Sequence, residues 1–182
     1  MEKKSLWKFG TREVVYAAIG AALYGVLAFA TNFLQLPSAG NVSFRPAVVI
    51  PLFFGVAFGP IVGFITGFLG NIIGDLLSGY GFWIWWDLGN GIMGLIAGLC
   101  AAQIINYKDT MSIVKAEIYS AVGILVGMFV ASLSEMWMSG ADMNTVIYAN
   151  FIPSIIPNLI NGLILLPILM IAYQAVISRS GR

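Results

Sequence analysis

Six apolar runs, separated by short polar breaks, limit what this chain can fold into. They cover about residues 13–34, 45–58, 60–77, 87–105, 116–138 and 146–177. A helix of ~20 apolar residues is long enough to cross a bilayer. Hydrophobic residues make up 59% of the 182 residues and charged residues 9%, whereas a soluble domain carries roughly 25% charged residues. We therefore predict an all-α integral membrane protein, a compact six-helix bundle that forms a single domain over residues 1–182.

Two of the runs differ in length from an ordinary span. The run 45–58 is short for a full crossing, so we expect a tilted or irregular helix there. The run 146–177 is long and contains Pro153, Pro157 and Pro167. Proline removes a backbone hydrogen bond and bends a helix, so we expect the last helix to be curved or broken.

The basic residues predict the orientation of the bundle. Six spans place three segments on one side, and these segments hold eight of the nine basic residues: Lys3, Lys4, Lys8, Arg12, Lys108, Lys115, Arg179 and Arg182. Only Arg45 lies on the other side. Cytoplasmic loops carry an excess of Lys and Arg, so both termini are predicted to be cytoplasmic. Residues 35–44, 78–86 and 139–145 then face outward.

Several chemistries lack the residues that they need. The chain has no histidine, and its single cysteine, Cys100, lies in an apolar run, where a small buried hydrophobe is the expected role. It has no glycine-rich phosphate loop and no metal-ligand spacing. We therefore expect no metal, no cofactor and no ATP hydrolysis by this chain alone. The net charge of +1 gives no indication of a nucleic-acid partner.

Small residues four apart predict close helix packing. Gly59, Gly63 and Gly67 form one such set, and Gly94 and Gly98 form another. Small residues at this spacing let two helix backbones approach in a membrane. The first span carries a comparable face, which either packs inside the protein or receives a partner protein; its residues are Ala17, Ala18, Ala21 and Ala22.

Polar side chains in three of the later spans fall in the half that is predicted to face outward, and the last span adds a pair of amides. An ionisable group inside a span is expensive unless it faces protein or water, so it marks a candidate functional site. The residues are Asn71, Asp75, Asp87, Asn90, Glu135, Asn158 and Asn161. Together they predict a polar pocket that opens outward. Structural alternatives are that Asp87 caps the fourth span and that Asn71 and Asp75 only bond neighbouring helices. Arg45 is expected to pair with one of the acids.

The segment SGYGFWIWWDLGNG, residues 78–91, concentrates aromatic rings beside these acids. Such rings form either an interfacial belt or a platform that stacks on a flat or cationic ligand. The aromatic candidates for the ligand site are Tyr80, Trp83, Trp85, Trp86 and Trp137. A belt is usually spread around a protein, whereas most of these rings crowd into seven residues.

Three segments together resemble the substrate-binding S-components of energy-coupling factor (ECF) vitamin transporters. They are AAIGAALYG in the first span, SFRPAVVIPLFFGVAFGPIVGFITGFLGNIIGD, and GYGFWIWWDLGNGIMGLIAG. The resemblance covers essentially the whole chain and is most specific over residues 44–98.

The resemblance implies a non-catalytic subunit in the cell membrane of a prokaryote. Such a subunit binds a vitamin or precursor in an outward pocket closed by the loop after the first span. It docks through its alanine face onto a transmembrane coupling subunit that is joined to two ATPase subunits, and it topples in the bilayer to deliver its ligand. Ala17, Ala18, Ala21 and Ala22 are the residues implied for docking.

The ligand class follows from the pocket residues only in part. The chain shows no obvious match to the riboflavin, thiamin or biotin types. Its rings, acids and amides suit a hydroxylated heteroaromatic ligand such as pyridoxine or hydroxymethylpyrimidine, with cobalamin a close competitor. The main rival function is an autonomous proton-coupled carrier with Asp75 or Glu135 as the proton site. An intramembrane enzyme is disfavoured because the catalytic residue sets are missing.

Overall fold

A computed structural model describes residues 6–7, 9–32 and 44–179, and the described chain is helical without a strand. Its α-helices are α1 (Thr11–Thr31), α2 (Val49–Phe58), α3 (Pro60–Leu77), α4 (Ile84–Gly98), α5 (Thr110–Leu133), α6 (Glu135–Met138) and α7 (Ile152–Arg179). A 3-10 turn, Pro46–Val48, leads into α2, another, Ala101–Gln103, follows α4, and a π-helical segment, Thr145–Phe151, leads into α7. Residues 33–43, which include most of the loop after the first span, lie outside the described residues.

The predicted multi-pass membrane architecture is confirmed. Five helical stretches are long and apolar enough to cross a bilayer, and Pro46–Phe58 is a shorter apolar helix. The second span is short and begins with a 3-10 turn, so it is irregular, as expected. The last span is a π-helical segment that continues into a long α-helix containing Pro157 and Pro167.

The boundaries of α3 agree with the predicted apolar run, whereas those of the fourth and fifth spans differ from their runs. The third span matches α3 over Pro60–Leu77. The fifth begins at Thr110, six residues before the apolar run, because the Asp109 carboxylate accepts a hydrogen bond from the Ser112 backbone N–H at 3.1 Å and caps the first turn. The fourth begins at Ile84, so Asp87 lies inside the helix.

Glycines bring the middle helices into backbone contact. A methyl group at Gly63 on α3 would overlap the backbone oxygen of Gly94 on α4. Likewise, a methyl group at Gly67 would overlap the backbone oxygen of Asn90. In a membrane the hydrophobic effect does not drive helices together, so they associate through close packing of this kind. The glycine spacing therefore fixes how α3 lies against α4, and with it the positions of the polar side chains that both helices carry.

The two ends of the bundle differ in chemistry. At one end, the rings of Tyr16 and Phe58 stack at 4.2 Å, and Tyr173 contacts both Phe58 and Tyr107 edge-on. Because Tyr16 lies near the start of α1 and Tyr173 near the end of α7, this is the terminal end of the bundle. We call the opposite end, where α1 and α3 finish, the distal end. There the Asn32 amide donates a hydrogen bond to the Ser78 hydroxyl.

Candidate functional site

A cavity of about 410 Å³ lies at the distal end, where α3 finishes and α4 begins. Side chains from five parts of the chain meet around it: the segment before α2, the end of α3, the turn and first half of α4, the start of α6, and the π-helical segment. The lining residues are Arg45, Asn71, Asp75, Tyr80, Trp83, Trp86, Asn90, Glu135 and Asn150. Seven of the twelve side chains proposed from the sequence for the ligand site are in this set.

Asn71 is the centre of a hydrogen-bond network beside the cavity. Residues four apart share a helix face, so Asn71 and Asp75 point to the same side of α3. The Asn71 Nδ2 group donates to Asp75 Oδ2 and to Asp87 Oδ1, both at 2.8 Å. Its Oδ1 accepts from Arg45 Nη1 at 3.2 Å. Because both the NH2 group and the oxygen of the Asn71 amide are hydrogen-bonded, this side chain has one orientation. The network therefore fixes the positions of α3, α4 and the segment before α2 relative to one another.

Arg45 pairs with an acid, as predicted from its isolation among the basic residues. Its Nη2 lies 3.6 Å from Asp75 Oδ1, and the two side chains are 26% and 10% exposed. Asp87 is fully buried. Its Oδ2 atom has no hydrogen-bond partner in the described part of the chain. The network thus contains two carboxylates and one guanidinium.

Asp87 is not the N-cap residue of α4, but it lies in the first turn of that helix. The residue before α4 is Trp83, which makes no side-chain cap hydrogen bond. The Asp87 carboxylate instead accepts from Asn71 on the neighbouring helix. Asp87 therefore supports the cavity wall through Asn71 and is not itself among the lining residues.

A second network connects α1 to the opposite wall of the cavity. The Tyr24 hydroxyl donates to Asn90 Oδ1 at 2.7 Å, and Asn90 Nδ2 donates to the Trp86 carbonyl at 2.9 Å. The Trp86 indole N–H then donates to Glu135 Oε1 at 3.0 Å. The other Glu135 oxygen accepts from the Ser139 hydroxyl at 2.8 Å. Trp86 and Glu135 are thereby joined across the cavity rim.

Tyr24 was missed from the sequence. It is fully buried and lies in the small-residue face of α1. The available signal was a single phenol among alanines and glycines, because a buried tyrosine hydroxyl usually has a hydrogen-bond partner. Periodicity does not reveal that the partner is Asn90, 66 residues away.

The aromatic segment divides into two groups. Tyr80, Trp83 and Trp86 line the cavity, whereas Trp85 packs edge-on against Trp137 at 5.3 Å, and neither of these lines it. Successive residues of a helix point in directions about 100° apart, so Trp85 and Trp86 cannot face the same site. Trp83 is tied to the turn because its indole N–H donates to the Tyr80 carbonyl at 2.8 Å.

Glycine permits the turn that presents these rings. Gly79 and Gly81 have φ values of +74° and +86°, in the region that residues with a side chain rarely adopt. They flank Tyr80, which is 43% exposed. The turn therefore holds an aromatic ring at the rim, in a backbone conformation that the sequence favours.

Two amides predicted for the site lie deeper in the bundle. Asn158 and Asn161 are buried in α7, and Asn161 Nδ2 donates to the Pro157 carbonyl at 2.9 Å. At a rise of about 1.5 Å per residue, Asn158 lies about 12 Å along the helix from Asn150. Asn150, on the π-helical segment, is the one that lines the cavity. π-Helical turns occur frequently at functional sites.

The π-helical segment is anchored at its start. The Thr145 backbone N–H donates to Asp142 Oδ1 at 2.7 Å, and this hydrogen bond lowers the pKa of the Asp142 carboxyl. Asp142 is exposed and does not line the cavity. It thus fixes the entry of the segment that carries Asn150.

The alanine face of α1 has two sides. Ala17 and Ala21 are 2% and 3% exposed and lie inside the protein's own packing. Ala18 and Ala22 are exposed. In this conformation, only the second pair can contact another protein.

Comparison with known proteins gives a family match over most of the chain. A family model described as "ECF-type riboflavin transporter, S component" matches residues 8–175. The matched region includes α1 to α6 and most of α7. No solved structure matches the chain.

Curated bacterial relatives have names that state no activity. A UPF0397 protein of Vibrio vulnificus (strain YJ016) is 36% identical over 140 residues, which is 76% of this chain and 72% of the relative. A UPF0397 protein of Aliivibrio fischeri (strain MJ11) is 35% identical over 140 residues, which is again 76% of this chain and 72% of the relative. For a UPF0397 protein of Vibrio atlanticus, the identity is 35% over 91 residues, and the match spans about half of that relative, 49%.

Proposed function

The chain belongs to the family of ECF-type riboflavin transporter S components, and from this premise we propose that it captures a water-soluble vitamin or vitamin precursor for an ATP-driven importer. The chain is the non-catalytic binding subunit, and a transmembrane coupling subunit with two ATPase subunits supplies the energy. Its place is the cytoplasmic membrane of a prokaryote, with both termini inside. The bacterial relatives and the apolar spans support this location.

The observation that carries the proposal is the cavity at the distal end. Its volume of about 410 Å³ lies within the range of roughly 300–1,000 Å³ typical of small-molecule sites. It combines three aromatic rings with amides and carboxylates. Apolar faces and a few directed polar groups are what a small polar ligand needs for affinity and orientation.

The preferred ligand is a heteroaromatic compound of the pyridoxine or hydroxymethylpyrimidine type. A ring of this kind can stack on Tyr80, Trp83 or Trp86. Its hydroxyl groups can bond Asn90, and a donor on the ring can bond Glu135. The cavity volume favours these compounds over cobalamin, because a corrin macrocycle is several times larger than a single pyridine or pyrimidine ring.

Docking is assigned to the exposed side of the alanine face. Ala18 and Ala22 lie four apart on α1 and are exposed, so they present a shallow strip where a partner helix can approach closely. Ala17 and Ala21 belong to the same sequence pattern, but they pack internally. The proposed contact with the coupling subunit therefore uses one half of the pattern.

Mass spectrometry of what co-purifies with the protein tests the proposal. We expect one small heteroaromatic molecule per chain. Titration of the purified protein with pyridoxine, hydroxymethylpyrimidine, riboflavin and cobalamin, followed by tryptophan fluorescence, then ranks the candidates. Quenching is expected because Trp83 and Trp86 line the cavity. If nothing co-purifies and none of the four compounds binds, the protein is not a vitamin-capture subunit of this kind.

A further inference from the structure

The charges around the cavity do not balance. Among the described lining residues, one side chain is cationic, Arg45, and two are acidic, Asp75 and Glu135. A third acid, Asp87, is hydrogen-bonded directly behind the wall through Asn71. The immediate surroundings of the cavity therefore hold three carboxylates and one guanidinium.

The single cation is already engaged. The Arg45 guanidinium contacts Asp75 Oδ1 at 3.6 Å and donates to Asn71 Oδ1 at 3.2 Å. A phosphate or carboxylate that approached this guanidinium would also lie close to the negative Asp75 carboxylate. The cavity is therefore poorly suited to an anion.

Two of the three acids, Asp87 and Glu135, have no cationic partner within salt-bridge distance in the described chain. Asp87 is fully buried, and its Oδ2 atom has no hydrogen-bond partner in the described chain. Glu135 is intermediate in exposure and stands at the rim. Opposite charges attract more strongly where water is partly excluded, so a positive charge brought into the cavity beside Glu135 would lower the free energy of the site.

No other basic residue of the part of the chain that the structure describes lies at the distal end. Residues 33–43, the rest of the loop after the first span, contain no Lys, Arg, Asp or Glu, so they leave the balance unchanged wherever they lie. The other basic residues of the described chain, Arg12, Lys108, Lys115 and Arg179, are on segments that meet at the terminal end. Asp142 is a further acid of the distal end, but it is exposed and solvent screens its charge.

The aromatic lining suits the same kind of ligand. A cation over the face of a tryptophan or tyrosine ring is attracted by the ring quadrupole. Tyr80, Trp83 and Trp86 present three such rings beside Glu135. The combination of rings and uncompensated carboxylates is the chemistry that recognises organic cations.

We propose that the ligand captured in this cavity carries a positive charge, as a protonated amine or a cationic ring nitrogen on a heteroaromatic framework. This inference rests on the proposed function and names the charge of its ligand. Glu135 is the specificity-determining residue for that charge, since it is the acid at the rim without a cationic partner in the described structure.

Matched ligand pairs test the inference by calorimetry on the purified full-length protein. One pair is pyridoxine and pyridoxamine, in which a hydroxymethyl group is replaced by a protonated aminomethyl group. The second pair is hydroxymethylpyrimidine and its aminomethyl counterpart. At low ionic strength we expect the aminomethyl member of the pair that fits to bind at least about tenfold more tightly, which corresponds to about 1.4 kcal/mol. The preference should shrink as salt is added.

Two charge-neutralising variants locate the effect. Glu135→Gln keeps an oxygen that can accept from the Trp86 indole, and it should abolish most of the preference for the cation. Asp142→Asn is the matched control, because it also removes an acid from the distal end but does not line the cavity; it should leave the preference intact.

The outcomes separate this inference from the proposed function. Equal or tighter binding of the hydroxymethyl member, or a preference that survives Glu135→Gln, refutes the inference. Tight binding of riboflavin, a neutral vitamin, in place of both aminomethyl compounds refutes it as well, but leaves vitamin capture standing. Binding of no compound at all refutes the proposed function, and the inference with it.

Discussion

Replacing Arg45 with methionine should weaken folding more than it weakens ligand binding. Methionine keeps much of the side-chain volume and removes the guanidinium. Asp75 then loses its ion pair at 3.6 Å, and Asn71 Oδ1 loses its donor. Two carboxylates bridged by the Asn71 amide would be left without a cation.

The size of the effect follows from burial. Breaking a buried ion pair by removing one partner costs about 3–5 kcal/mol. The Arg45 side chain is 26% exposed, whereas that of Asp75 is 10% exposed, so solvent screens part of the pair. We therefore expect Arg45→Met to lower the free energy of unfolding by about 3 kcal/mol, at the low end of that range.

A double-mutant cycle isolates the pair from other effects of the substitution. Asp75→Asn removes the orphaned charge, so the two substitutions together should cost about 2 kcal/mol less than the sum of their separate effects, and this difference is the coupling energy of the pair. Unfolding by SDS in mixed micelles, followed by the helical circular dichroism signal, measures all four proteins. Ligand affinity is measured on the same samples by calorimetry.

Two results would refute this reasoning. One is a coupling energy near zero, since Arg45 and Asp75 would then not stabilise each other. The other is a large loss of affinity in Arg45→Met with unchanged unfolding, which would make Arg45 a ligand contact.

Three further substitutions test the site, the docking face and the packing. Trp86→Ala should weaken ligand binding by at least about 1 kcal/mol through lost stacking, whereas Trp85→Ala, outside the cavity, should leave the affinity unchanged. If calorimetry gives equal affinities for the two variants, neither ring stacks on the ligand and both belong to an interfacial belt. Ala18→Trp should preserve ligand binding but abolish both uptake and co-purification with the coupling subunit. The control Ile168→Trp, on the exposed side of α7, should preserve ligand binding, co-purification and uptake. Loss of ligand binding in Ala18→Trp would indicate that Ala18 has a role in folding. Gly63→Ala should lower stability by about 3 kcal/mol, because its methyl group would overlap the α4 backbone, and an unchanged unfolding midpoint would show that α3 and α4 are not packed this closely.

The fold was largely predictable because lipid allows few structures to cross it. Apolar length alone located the spans, and the boundaries of α3 agree with the run 60–77 because Pro60 begins the helix and Gly79 follows its end. The start of α5 was not found from apolarity, since Lys115 and Glu117 interrupt the apolar run. The Asp109 cap was the better signal there.

The site was predictable along each helix and less so between helices. The spacing of Asn71 and Asp75 placed them on one face, and both line the cavity. The bond from Tyr24 to Asn90 depends on how α1 and α4 pack through α3, which periodicity does not specify. Which of Trp85 and Trp86 lines the cavity depends on the rotation of α4 about its own axis. How deep Asn158 and Asn161 lie in the bundle depends on where α7 begins.

Uptake by reconstituted vesicles tests whether this chain is the binding subunit of an ATP-driven importer. The purified chain is placed in liposomes alone, or together with a coupling subunit and two ATPase subunits, and radiolabelled ligand is supplied outside. We expect the chain alone to bind the ligand, and we expect accumulation only with the full module and with ATP in the compartment that corresponds to the cytoplasm. Accumulation by the chain alone, driven by a pH gradient, would contradict this expectation and make the protein an autonomous proton-coupled carrier.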